Sequence, residues 1–81
     1  MIYDYMGRKN ASGDRIREAR QKNRLTQQNL AAKLQTEGIV IERDSISRIE
    51  IGARFVADYE LIKFSEILGV PIEWLLEPST K

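Results

Sequence analysis

Arg43, Asp44, Ser47 and Arg48 recur at helical spacing in the stretch RDSISRIEIGAR, residues 43 to 54. On a helix Arg43 and Ser47 form one column and Asp44 and Arg48 the column beside it, because residues four apart are surface neighbours. Guanidinium forks, a carboxylate and a hydroxyl at that spacing make a hydrogen-bonding face rather than a reaction centre. Ile46 and Ile49 share the other side, with Glu50 at their edge. A helix this short is not stable alone, so its apolar side must be held by other helices and its polar side left outward. A narrow cylinder with hydrogen-bonding tips and a further arginine in the Gly52-Ala53-Arg54 turn is what insertion into a DNA major groove requires. The same residues equally describe a solvated surface on which Asp44 and Arg48 form an exposed pair worth about 0.3 to 0.5 kcal/mol.

Composition narrows the chemistry. The chain has 81 residues, 42% of them apolar, enough for one domain with a small core. It contains no cysteine and no histidine. Disulfide frameworks, the commonest metal ligand, the commonest general base and any Ser-His or Cys-His pair are thereby excluded. No Gly-rich phosphate loop is visible, and an enzyme is not expected. Apolar runs such as Ile39-Val40-Ile41 fall far short of the roughly 20 residues of a membrane helix, so a soluble, cytoplasmic protein is expected. The net charge is +1, yet it is unevenly spread. Residues 1 to 24 carry seven bases against three acids, whereas residues 55 to 80 carry Lys63 against five acids. A molecule basic at one end and acidic at the other suits a protein that turns one face to a polyanion, although charge runs also serve as plain solvated surface.

The positioning elements can be read in order. Residues 1 to 11 show no trustworthy period and read as a flexible tail. Ser12 is placed to cap a first helix with Ile16, Ala19, Arg20 and Asn23 inward and Arg15, Arg17, Lys22 and Arg24 outward. Thr26 is a cap for a second, in which Leu30, Ala31 and Leu34 face the core and which ends near Glu37 at Gly38. Ile39 and Ile41 anchor an extended connection. The third helix runs from Arg43 to Ile51 and stops at Gly52. A fourth starts with Asp58 as cap, turns Leu61, Ile62, Ile67 and Leu68 inward and ends at Gly69. Pro71 and Pro78 bracket a final short helix carrying Trp74 and Leu75. This reading gives five helices and no strand.

In order along the chain stand IREAR before LTQQNLA, then ISRIEIGAR, a Leu-Gly-Val after the fourth helix, and EWLL. These landmarks resemble the phage-repressor and Cro-like helix-turn-helix family, the Cro/C1-type or xenobiotic-response-element-type regulators common in bacteria and phages, over roughly residues 12 to 77. The resemblance implies an all-α, lambda-repressor-like DNA-binding domain, a compact bundle of five short helices, with residues 78 to 81 as its C-terminal end. It implies that helix 43–51 reads bases through Arg43, Asp44, Ser47 and Arg48. Arginine suits guanine N7 and O6, whereas Asp44 could accept from cytosine or merely orient Arg48. It further implies that Gln27 holds a phosphate and braces the recognition helix, that Gly52, Ala53 and Arg54 grip the DNA backbone, and that Arg20 and Glu50 form a buried structural pair.

One departure from the family pattern is the connection QTEGIVIERD, about one helical turn longer than usual, read as a longer second helix followed by an Ile39/Ile41-anchored loop without functional effect. A loop that tilts the recognition helix or touches phosphate itself is the sharper alternative. Small members of the family act as two-fold dimers on inverted repeats with half-sites about 34 Å apart. A homodimer is therefore expected, through Trp74, Leu75 and Leu76 or through the N-terminal tail with Tyr3 and Tyr5, while Arg8 and Lys9 could reach DNA. The three C-terminal side chains would equally close the monomer core. The function implied is a sequence-specific transcriptional regulator, a repressor, needing no cofactor or metal. The competing reading is a protein-interaction module, such as an antitoxin-type subunit, on the same fold.

Overall fold

Turn-forming residues divide the chain into α1 (Gly13–Lys22), α2 (Gln27–Thr36), α3 (Arg43–Glu50), α4 (Asp58–Leu68) and α5 (Ile72–Leu76). The computed structural model describes residues 5–78, and among these there are five helices and no strand. Each boundary has a local cause. The Thr26 hydroxyl accepts from the Asn29 amide at 3.0 Å and so caps α2, which ends at Gly38 with φ +84°. Asp58 is the first helical residue of α4 rather than its cap; Ala57 occupies the cap position, and Glu60 reaches back to accept from the Ala57 amide at 2.9 Å. Ser12 is buried and makes no side-chain cap bond. Ser12 holds the cap position by its main chain alone, and the side-chain acceptor for the first turn comes from Asn10, whose Oδ1 accepts from the Gly13 amide at 2.9 Å.

Ile16, Leu30, Leu34, Ile41, Ile46, Ile49, Phe64 and Leu75 form the fully buried centre. Helix α3 packs against α1 and α2, α4 against α1, α2 and α5, and α5 against α1. Along α4 the inward residue is Phe64, with Leu68 one turn on, whereas Ile62, expected inward, is 45% exposed. Two helical positions rotate the side chain by about 200°, so Phe64 inside places Ile62 outside. The connection after α2 is pinned by buried Ile39 and Ile41, with Gln35 Nε2 donating to the Ile41 carbonyl at 2.8 Å and Val40 left outside.

Two further expectations are corrected. Arg15 does not point into solvent: its guanidinium lies 4.5 Å from the Trp74 ring centroid and donates to the Pro78 carbonyl at 3.1 Å. Trp74 is thus covered by Arg15, Leu75 is buried in the core, and of the three apolar residues proposed for a dimer surface Leu76 alone is left well exposed. Within the span expected to be a flexible tail, residues 8 to 11 are built into the domain. Lys9 donates its amide to the Gly52 carbonyl at 2.8 Å, and Asn10 is buried, because the carbonyls at the end of α3 need donors that the helix itself cannot supply. Met1 and Tyr3, proposed for a dimer strand or arm, lie outside the described residues.

Candidate nucleic-acid interface

The inner side of α3 is tied down by a charged network. Arg20 Nε donates to Glu50 Oε2 at 2.6 Å and Arg20 Nη2 to Glu50 Oε1 at 3.1 Å, a bidentate fork. Gln27 Nε2, at the first position of α2, adds a third bond to Glu50 Oε1 at 3.0 Å, and Arg20 Nη1 donates to the Leu25 carbonyl at 2.8 Å. The side chains of Arg20 and Glu50 are only 12% and 2% exposed. Helices α1 and α2 therefore both grip α3 through one carboxylate. Ile46 and Ile49 complete the hold on its apolar side.

The outer side is the opposite. Arg43, Asp44 and Arg48 are exposed and Ser47 is half-buried, and together they line one open depression. Among the described residues none of the three charged side chains makes a hydrogen bond or ion pair, so the Asp44 and Arg48 pair of an ordinary solvated helix is not formed. Asp44 stands in the first turn of α3, where the helix dipole favours a carboxylate by about 0.3 to 1 kcal/mol. Several bases elsewhere are matched, Arg8 with Asp14 at 3.4 Å, Arg15 with Glu18 at 3.3 Å and Lys63 with Glu66 at 3.1 Å. Arg17, whose role sequence reasoning left open, is exposed and joins Arg20, Gln27, Ser47, Glu50 and Ile51 around a second depression between α1, α2 and α3.

The groups expected to grip phosphate at the end of α3 are bonded within the domain. The Gly52 amide donates to the Ile49 carbonyl at 3.0 Å and the Ala53 amide to the Arg48 carbonyl at 2.7 Å, with Gly52 at φ +81°. This is a Schellman closure, so both amides are used within the domain. Arg54 is turned to Glu60, with Nη1 and Nη2 donating to the two carboxylate oxygens at 3.1 and 3.0 Å. Its role here is to neutralise a buried acid. Sequence reasoning missed the pair, although the i,i+6 interval across a turn and a following helix start gave no periodic signal for it.

Burial alone would raise the Glu60 pKa, but the hydrogen bonds from Arg54 and the Ala57 amide, with the Arg54 charge, outweigh it and leave the carboxyl below its ordinary value. A carboxyl whose folded pKa is lowered binds protons less readily in the native than in the unfolded state. Its stabilisation is therefore complete above the unfolded value near 4.5, shrinks as pH falls below that, and is gone once pH lies under the lowered folded value. Arg54→Ala should cost about 2 kcal/mol at pH 7, because a buried carboxylate loses its charged donor. In urea melts the gap from the parent protein should close as the pH is taken through the acid range. A gap independent of pH would show that Glu60 is not the group Arg54 serves.

Among the described residues no group of acidic, histidine or cysteine side chains is arranged to hold a metal ion, and no helix is long and apolar enough to cross a membrane. In comparisons with known proteins, a family model described as a helix-turn-helix domain matches residues 13–77. No curated protein and no solved structure matches the chain.

Proposed function

The chain belongs to the helix-turn-helix domain family, a DNA-binding type of domain, and on that premise we propose that it is a sequence-specific regulator of transcription that reads the major groove with α3. The observation that carries this reading is the contrast between the two sides of α3. Its inner side is fastened by Arg20, Gln27 and Glu50, while Arg43, Asp44 and Arg48 stand outward without protein partners among the described residues. Arginines held out on a fixed helix are suited to the N7 and O6 acceptors of guanine, and Ser47 to either base edge beside them. Gln27 and Arg17, at the rim of the neighbouring depression, are the groups best placed to meet phosphate. Repression is the mode proposed, by occupancy of a promoter, and a homodimer on an inverted repeat is the form, with Leu76 exposed at the C-terminal end.

Selection of bound duplexes from a random pool at about 150 mM salt, where screening suppresses purely electrostatic binders, tests the reading. An inverted repeat should emerge. Absence of any enriched sequence would overturn it in favour of a protein-interaction module. With the selected site in hand, Arg43→Ala and Arg48→Ala should each lose about 1 to 3 kcal/mol of specific binding and relax the preference at one base pair, whereas Arg17→Ala should weaken all DNA alike and flatten the salt dependence. Equal effects on selected and random DNA for all three would mean that α3 does not read bases.

A further inference from the structure

Residues 8 to 10 precede the span matched by the family model, yet they are bonded to the end of the helix proposed to read DNA. Asn10 Nδ2 donates to the Ile49 carbonyl at 3.0 Å and to the Arg54 carbonyl at 2.8 Å, while its Oδ1 accepts from the Gly13 amide at 2.9 Å. Arg8 Nη2 donates to the Glu50 carbonyl at 3.2 Å, and the Lys9 amide to the Gly52 carbonyl. The fit is close on both sides. A methyl group at Gly52 would come within 2.7 Å of Arg8 Nε, and one at Gly13 within 2.2 Å of the Ile49 oxygen. One side chain, Asn10, thus ties together the start of α1, the end of α3 and the turn that follows it.

We infer that this N-terminal segment sets the tilt of α3, and that Asn10 is a positioning residue for base recognition; the inference rests on the DNA-reading function proposed above. The reason is leverage. An eight-residue helix is about 12 Å long, so a tilt of about 10° at its exit displaces Arg43 at the other end by about 2 Å. Recognition geometry must be kept within about 0.5 Å and 10 to 20°. The Arg20 and Gln27 bonds to the Glu50 carboxylate fix one side of that exit, and the Asn10 amide fixes its main chain. Neither Arg8 nor Asn10 is left to reach a base, since Arg8 is held by the Glu50 carbonyl and the Asp14 carboxylate and Asn10 by two carbonyls inside the domain.

Asn10→Asp is nearly isosteric and keeps the acceptor that caps Gly13, but replaces the double donor with an oxygen facing two carbonyls. Asn10→Ser loses the donor without adding charge. Affinity for the selected duplex and for random duplex should be measured well below the melting temperature, counting only protein competent to bind, beside hydrogen exchange at the Gly52 and Ala53 amides. Both variants should lose about tenfold or more in affinity for the selected duplex, comparable to one lost base contact. For Asn10→Ser the random-duplex affinity and the salt slope should stay within about twofold, because no phosphate-facing cation is touched. Exchange at Gly52 and Ala53 should quicken. A lower active fraction with an unchanged ratio of selected to random affinity would mean that Asn10 only stabilises the fold, and would overturn the inference while leaving the DNA reading intact. If the parent protein itself selects no duplex, the functional proposal fails and the base-positioning role falls with it, whatever the exchange rates show.

Discussion

Glu50→Ala should destabilise the protein by about 3 to 5 kcal/mol, the cost of leaving one half of a buried ion pair without the other. Arg20 would keep its bond to the Leu25 carbonyl but lose both bonds to the carboxylate, and its guanidinium is too enclosed to recover them from water. Gln27 would lose its acceptor as well. A domain of this length has a total stability of roughly 4 to 12 kcal/mol at typical values per residue, so much of the folded population is at stake. The measurement is a urea melt at neutral pH. A loss under about 1 kcal/mol would be the signature of an exposed pair and would contradict the geometry. Converting both partners to apolar residues, as in Arg20→Met with Glu50→Leu, should recover most of the loss, because a buried pair contributes mainly by not being broken. That double variant separates the cost of an orphaned charge from any special worth of the pair. It also discards the Gln27 brace, so its ratio of selected to random DNA affinity should fall even where its stability is restored.

Gly13→Ala should cost on the order of 3 kcal/mol, against the direction that helix propensity alone predicts. Gly13 is the first residue of α1, and alanine in a helix is favoured over glycine by about 1 kcal/mol. The added methyl, however, would sit 2.2 Å from the Ile49 carbonyl oxygen, a backbone atom of α3 that cannot swing aside as a flexible side chain can. It would also meet Asn10 Oδ1 at 2.9 Å and Arg8 Nη2 at 2.8 Å. Relief requires α1 and α3 to part, which disturbs the contact between them and the donors that Asn10 sends across it. Forcing a methyl into packed structure costs about 1 to 3 kcal/mol, and a backbone obstacle puts this site at the top of that range. Thermal and urea unfolding read it directly. A variant as stable as the parent would show that the end of α3 yields easily, and would remove the rigid support on which the positioning role of Asn10 depends.

Much of the scaffold is local and was legible in one dimension. Leu30, Ala31 and Leu34 repeat with the helical period and are buried; Thr26 caps; Gly38, Gly52 and Gly69 take the left-handed conformation that ends helices, as their chemistry alone dictates. The alternation of Ile39 and Ile41 likewise determined that the connection before α3 would be pinned. The family landmarks run with these features, since they are the same residues seen as a pattern.

What the tertiary structure decided is which polar side chains are spent inside the domain and which are left for another molecule. Arg15 and Arg17 are two positions apart on α1, yet one is stacked on Trp74 and the other open to solvent. Arg54 and Arg48 bracket the same turn, and of the two only Arg54 is paired with a carboxylate. Asn10 finds its acceptor 39 residues along the chain. Burial of an apolar side chain follows from its place in a helical repeat, because the hydrophobic effect is non-directional and asks only for an inward face. A hydrogen bond or buried ion pair asks for a specific atom at about 3 Å and a fixed angle, and that distance exists only once distant segments have been brought together.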